Sequence, residues 1–294
     1  MKLSDILKDM GISFNYIIQY EKGFDTMGLV ASINNLEMCT FVDNEKFIDK
    51  IPKNTTMLIT TKEIFLKVMR NKTYGICTTE NPRILFFKIH NYLSNDDKYH
   101  RKRFEAKIGE KCLISEHSFI SPYNVKIGNN VIIEEMVVIR ENTEIGDNSI
   151  IRAGSIIGGE GFEFKREDDF IISVKHLGGV KIGQNVEIQY NVCIDKAIYP
   201  WDNTEVNDNT KIDNFVHIAH AVKIGKNIMI AGNTSLAGRV VVGSNTWIGP
   251  CVIISNGLTI GTNSHIGIGS VVVSDVSENV KVFGNPARPY DRNR

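Results

Sequence analysis

Val125-Lys126-Ile127-Gly128-Asn129-Asn130-Val131-Ile132-Ile133-Glu134-Glu135-Met136-Val137-Val138-Ile139 reads as a run of six-residue units. Ile127, Ile133 and Ile139 recur at every sixth position, and each has a valine two residues before it. The phase continues through Ile145, Ile151 and Ile157, and backward, across one extra residue near Ser121 and Pro122, to Ile120, Ile114 and Ile108. After two insertions it returns at Ile182, Ile188 and Ile194, and again from Val206 through Ile212, Ile218, Ile224, Ile230, Leu236, Val242, Ile248, Ile254, Ile260 and Ile266 to Val272.

Side chains two apart on a strand share a face, so Val186 and Ile188 point inward while Glu187 between them meets water. Many units read Ile-Gly-x-Asn, and Gly and Asn both tolerate the positive φ that a sharp corner requires. Six residues therefore make one short strand and one corner. A six-residue period walks around a 3.6-residue helix and leaves no stripe, which excludes the helical reading. Short strands of this kind bury a face only when successive units coil into a prism with stacked isoleucine rows. Three units per turn give an eighteen-residue coil, with roughly eight coils, each rising about 4.8 Å.

The chain has 294 residues, with 34 Lys+Arg against 34 Asp+Glu, so no net field draws it to nucleic acid or to an anionic membrane. No stretch approaches the length of an apolar membrane span, and the start, MKLSDILKDMGISF, carries Asp5 and Lys8 among its apolar residues. A cytoplasmic protein with no leader is expected. Cys39, Cys77, Cys112, Cys193 and Cys251 are widely spaced, without a CxxC pair or His at ligand spacing, so neither a metal site nor a disulfide framework is expected. The expected division is an α/β domain at 1–83, a helical linker at 84–105 with a helix from Pro82 to Leu93, the repeat domain at 106–283 and a tail at 284–294. The charge run Lys98 to Arg103 reads as a solvated face.

In a repeat, departures that keep the spacing but change the corner carry information. They cluster from Ile212 to Gly238, where the corners read Asp213-Asn214-Phe215, Ala219-His220-Ala221, Ala231-Gly232-Asn233 and Ala237-Gly238-Arg239. Adding one eighteen-residue coil to His220 gives Gly238, and another gives Asn256. An imidazole would then lie one strand spacing below a backbone N–H that no Cβ obstructs. Acyl transfer needs that pairing: a base for the attacking amine or hydroxyl, and a donor aimed at the oxygen that becomes negative. His217, His265, His117 and His100 read as surface residues.

The stretch from Ile212 to Gly225, with Asp213-Asn214 and Ile218-Ala219-His220, resembles the active-site coil of the UDP-3-O-acylglucosamine N-acyltransferases, hexapeptide-repeat acyltransferases of the LpxD type. Gly159-Glu160-Gly161-Phe162-Glu163-Phe164 resembles the GxDGFGF loop of that family, and Leu177-Gly178-Gly179-Val180-Lys181-Ile182-Gly183 its re-entry into the coil. Cys193-Ile194-Asp195-Lys196 resembles its TIDRG segment, and Thr40-Phe41-Val42-Asp43-Asn44-Glu45-Lys46-Phe47 the segment that holds uracil.

The resemblance implies a mainly β fold, a left-handed parallel β-helix behind a small N-terminal α/β domain. It implies His220 as general base and the Gly238 N–H as oxyanion donor. Asp213 and Asn214 would position the sugar or orient the base. Phe41 and Phe47 would stack on the nucleobase and Asn44 would bond the nucleotide, while Gly161, Phe162 and Asn256 would line the substrate site. The implied enzyme is a homotrimer with clefts between neighbouring prisms, holding no permanent cofactor. Its substrates would be an acyl thioester on acyl carrier protein (ACP) or CoA and a UDP- or dTDP-linked amino sugar. Asn256-Gly257 stands where the family often has a second histidine, Lys196 stands for Arg, and Glu160 for Asp. The close on Gly284-Asn285-Pro286-Ala287-Arg288, without the family's C-terminal helices, resembles CoA-dependent sugar acetyltransferases. A CoA-dependent N-acyltransferase of surface polysaccharide therefore stands beside the lipid A enzyme, and a catalytically idle β-helix scaffold is the third reading.

Overall fold

The computed structural model describes residues 1–11, 15–30, 32–69 and 74–290. The end of the expected tail, 291–294, and positions 12–14 of the opening segment lie outside them. The chain divides into two compact units, one of Met1–His100 with Glu163–Lys175, the other of Arg101–Phe162 with His176–Arg294.

The first unit is built on a five-stranded sheet. Its strands are β1 (Tyr16–Tyr20), β2 (Thr26–Met27), β3 (Met38–Val42), β4 (Thr55–Thr60) and β5 (Gly75–Thr79), in the order β1-β5-β4-β3-β2. Only β1 runs antiparallel to its neighbour. Helices α1 (Leu3–Asp9), α2 (Lys62–Val68) and α3 (Pro82–Leu93) accompany it. Proline at the first turn of α3 gives up an N–H that the helix does not use. Leu85, Phe86 and Ile89 of α3 are wholly buried, so the segment expected as a linker belongs to the core of this unit. The hairpin Phe164–Glu167/Phe170–Ser173, which lies within the first interruption of the repeat, also belongs here. Asn91 of α3 donates to the Ser173 carbonyl at 2.8 Å and accepts from the Lys175 N–H at 3.0 Å, and Lys88 pairs with Glu167 at 2.7 Å.

The second unit is a left-handed parallel β-helix with three faces. The first face runs from Lys107–Ile108 to Thr259–Ile260, the second from Leu113–Ile114 to Lys281–Phe283, and the third from Phe119–Ile120 to Val271–Val272. Register follows the repeat: Ile133 pairs with Ile151, and Ile218 with Leu236, eighteen residues on. Ile151, Ile188, Ile212 and Ile248 are fully buried in one inward row, and burying each such side chain stabilises the fold by roughly 1.5–3 kcal/mol. Ile108, on the edge strand of the first face, is 51% exposed, because among the described residues no strand pairs with it on its other side.

At the regular corners Asn130, Asn148, Asn185, Asn227 and Asn245 take φ between 55° and 60°. The glycine of Ile-Gly-x-Asn has another task. A Cβ on Gly146 would lie 2.6 Å from the carbonyl carbon of Gly183 in the next coil, so close stacking selects glycine there. The corner asparagines also bond in a ladder, Asn209 to Asn227, Asn227 to Asn245 and Asn245 to Asn263, each at 3.1 Å. Arg101, in the run expected to be solvated, instead donates to the carbonyls of Pro200 at 2.7 Å and Asp202 at 2.6 Å. Burial holds its guanidinium pKa below the ordinary value.

Candidate active site

His220 occupies the corner between the third and first faces, one coil below Gly238. The Arg239 N–H donates to the His220 carbonyl at 3.0 Å, and the Gly257 N–H to the Gly238 carbonyl at 2.9 Å, which stacks 220, 238 and 256 in one column. A Cβ on Gly238 would lie 2.6 Å from His220 Nε2 and 2.7 Å from Cε1, so the imidazole lies directly against the glycine. Among the described residues nothing accepts the Gly238 N–H. The residue after each is strained: Ala221 and Arg239 take φ of 58° and 63°, where regular corners use asparagine. A left-handed conformation costs an ordinary L-residue about 1–2 kcal/mol, so stacking of the surrounding coils must hold these corners in place.

Polar groups gather around the imidazole. The His176 ring meets that of His220 edge-on, with centroids 5.7 Å apart, and both residues are buried. Gly161 crosses close by, where a Cβ would lie 2.8 Å from His176 Nε2 and 3.4 Å from both Asp195 Oδ2 and His220 Cβ. Asp195 Oδ2 bonds His217 Nε2 at 3.0 Å, and this carboxylate raises the His217 pKa above the ordinary imidazole value despite partial burial. Glu160 approaches Lys196 Nζ at 3.3 Å and His176 Nδ1 at 3.9 Å. An open cleft of about 620 Å³ runs along the third face, lined by Phe119, Arg140, Ile156, Glu160, Asp195 and Lys196. Its lining combines the apolar Phe119 and Ile156 with side chains of both charges. Among the described residues no group of three or more His, Cys, Asp or Glu side chains is placed to hold a metal ion.

The structure thus brings His220, Gly238 and Gly161 together. Asn256 is exposed one coil above Gly238, and Phe162 is 87% exposed. Asp213 and Asn214 lie at the other end of strand His217–Ile218. Asp213 accepts from the N–H groups of Asn214 at 2.8 Å and Gly232 at 3.0 Å, and Asn214 Oδ1 from that of Tyr190 at 3.1 Å. Within one chain they cap a corner and do not orient the imidazole. His217, expected at the surface alone, is instead half-buried and paired beside the site, because Asp195 lies one coil below it on the same face. His176 was not marked by the repeat, since it sits in the insertion. Its position just before the re-entry Leu177-Gly178 was the available signal.

In the first unit Phe41 lies on β3 with its ring 5.0 Å from Phe86 and 6.1 Å from Phe87, and the Arg83 guanidinium lies 5.8 Å from its centroid. Asn44 Oδ1 caps the following 3₁₀ turn by accepting from the Lys46 N–H at 3.1 Å. Phe47 packs onto the cluster of Val42, Leu58, Ile64, Val68 and Ile76, with Lys46 Nζ 5.0 Å from its ring. Phe41, Asn44 and Phe47 are thus close in the chain, and both rings are partly buried.

A coil of six-residue units with an imidazole stacked against a glycine one turn above defines a hexapeptide-repeat protein. The family model for the bacterial transferase hexapeptide (six repeats) matches residues 124–159. A UDP-N-acetylglucosamine acyltransferase from Campylobacter jejuni is 30% identical, with a TM-score of 0.58 over 64% of this chain and 71% of that one. The chain belongs to the hexapeptide-repeat acyltransferase family. The Arabidopsis UDP-N-acetylglucosamine acyltransferase is 29% identical, with a TM-score of 0.54 over 63% of this chain and 70% of that one. Two curated UDP-3-O-acylglucosamine N-acyltransferases match shorter stretches. The one from Verminephrobacter eiseniae is 47% identical over 45 residues, 15% of this chain and 14% of the relative. The one from Pseudomonas putida strain F1 is 33% identical over 95 residues, 31% of this chain and 22% of the relative. Less than a quarter of either relative's length is matched.

Proposed function

We propose that the chain transfers an acyl group from a thioester to the amino group of a nucleotide-linked amino sugar. His220 takes the proton from the attacking amine, the Gly238 N–H stabilises the oxyanion of the tetrahedral intermediate, and the thiol leaves as that intermediate collapses. The observation that carries this reading is the contact of the His220 ring with Gly238, 2.6 Å from Nε2 to the place a Cβ would take, beside an N–H with no acceptor among the described residues. His217, whose pKa the Asp195 carboxylate raises, lies beside the site. The names of the curated relatives supply the amino sugar.

Phe41 and Asn44 of the first unit read the nucleotide base, with Arg83 beside the Phe41 ring. The working assembly is a homotrimer, in which Asp213 and Asn214 of one chain face the His220 corner of the next. Supporting this are the large apolar side chains exposed at their corner column: Met136 at 67%, Phe215 at 58% and Tyr190 at 43%. The acyl group arrives on CoA or on acyl carrier protein.

A second reading, transfer to a hydroxyl, is favoured by the two solved relatives, whose named substrate already carries an acyl group on nitrogen. The test presents the protein with acyl-CoA or acyl carrier protein and with either a UDP-linked amino sugar or UDP-N-acetylglucosamine, and follows release of free thiol. Acylated amine supports the first reading, acylated hydroxyl the second, and no transfer with any pair rejects both.

A further inference from the structure

The hydroxyl of Thr204, wholly buried, donates to the Asp195 carbonyl at 2.5 Å and accepts from the Ala221 N–H at 2.8 Å. It therefore joins the residue whose carboxylate holds His217 to the residue that follows His220. We infer that Thr204 is a positioning residue, which fixes the His220 corner against the Asp195 strand and so sets the direction of the imidazole.

Buried hydroxyls recur along the coil, and their ordinary use differs. Ser149 donates to the Gly183 carbonyl and accepts from the Val186 N–H, and Ser155 donates to the Gln189 carbonyl and accepts from the Val192 N–H. Thr234 likewise donates to the Gly249 carbonyl and accepts from the Val252 N–H. Each ties a corner carbonyl of the next coil to the N–H of that coil's next inward residue. By that pattern Thr204 would bond the Ala219 carbonyl and the Val222 N–H. Instead Val222 donates to Ala219 at 3.4 Å, and the hydroxyl turns to Ala221 and Asp195.

The second insertion gives the reason. At uninterrupted corners the residue with positive φ donates its N–H to the middle corner carbonyl of the coil below, as Asn233 does to Asn214 and Arg239 to His220. For Ala221 that acceptor would come from Lys196, where the chain leaves the coil until the strand Asn203–Val206 resumes it. The Thr204 hydroxyl stands in for the missing carbonyl. Without it a strained corner loses the bond that holds its N–H side, and the Arg239 N–H on the His220 carbonyl is left to hold the corner from above.

Two readouts test this on the full chain, of which only the second rests on the acyl-transfer reading. In the first, the ring cross-peaks of His220, assigned by their loss in His220→Ala, are recorded by NMR together with amide exchange at Ala221. Thr204→Val is expected to shift those peaks and speed exchange at Ala221, and Thr204→Ser, which keeps the hydroxyl, to restore both. In the second, Thr204→Val is expected to lower turnover on the order of tenfold to a hundredfold with little change in KM, again restored by Thr204→Ser. Should Thr204→Val not fold, Thr204→Ala takes its place with the same expectations. Parent-like His220 peaks and parent-like Ala221 exchange in the hydroxyl-free variant overturn the inference. So does parent turnover in that variant when His220→Ala is inactive. Full turnover in His220→Ala would instead remove the base assignment and leave the NMR arm to decide Thr204.

Discussion

Gly238 lies so close to His220 that a Cβ there would stand 2.6 Å from Nε2 and 3.2 Å from Cδ2 of the imidazole. The ring fills the space that every other residue type would need. This is the direct consequence of an eighteen-residue coil with a histidine at one corner and a glycine one turn above it.

Gly238→Ala is accordingly expected to push the imidazole aside while leaving the coil intact. Transfer should fall by roughly a hundredfold to ten-thousandfold, the scale of misplacing a general base. Steady-state rates beside a thermal melt will check it. An unchanged rate would mean that the contact between the imidazole and Gly238 is not needed for transfer.

The Asp195–His217 pair predicts a pH dependence of stability. The pKa of His217 is raised by the Asp195 carboxylate, so the folded state binds a proton that the unfolded state releases at about 6.5. The stabilisation is fully present below that value and disappears as the pH rises through the raised folded one. Melting temperatures measured across pH 5 to 9 (roughly the range over which imidazoles titrate) should show this loss in the parent and not in Asp195→Asn. Equal slopes in both would remove the pair from the account.

If the site is shared between chains, two inactive variants should complement each other. Subunits carrying His220→Ala and Asp213→Ala, denatured together and refolded at equal amounts, would form about one intact site in four by random assortment in a closed ring. Roughly a quarter of parent activity is expected from the mixture and next to none from either alone. No recovery in the mixture would place Asp213 outside the site.

The β-helix was legible because its period is a property of the backbone: a residue at every sixth position must face the axis if Ile133 and Ile151 are to stack. The His220–Gly238 column followed from the same arithmetic. The repeat gave no access to His176 and Thr204, which act through insertions that break the period. It also mistook His217 for a surface residue, since its partner Asp195 is twenty-two residues away and the extra residues between Ile194 and Val206 hide that they are neighbours on one face. Arg101 was misread for a related reason. A charge run looks solvated unless the acceptors, here the carbonyls of Pro200 and Asp202, are known to be near.

The most direct test of the central claim is the rate at which parent and His220→Ala proteins release thiol from an acyl thioester in the presence of a UDP-linked amino sugar. The parent should yield one acylated amine per thiol released, and His220→Ala should be slower by roughly a hundredfold to ten-thousandfold with an unchanged fold. Parent-like turnover by a folded His220→Ala would contradict the account.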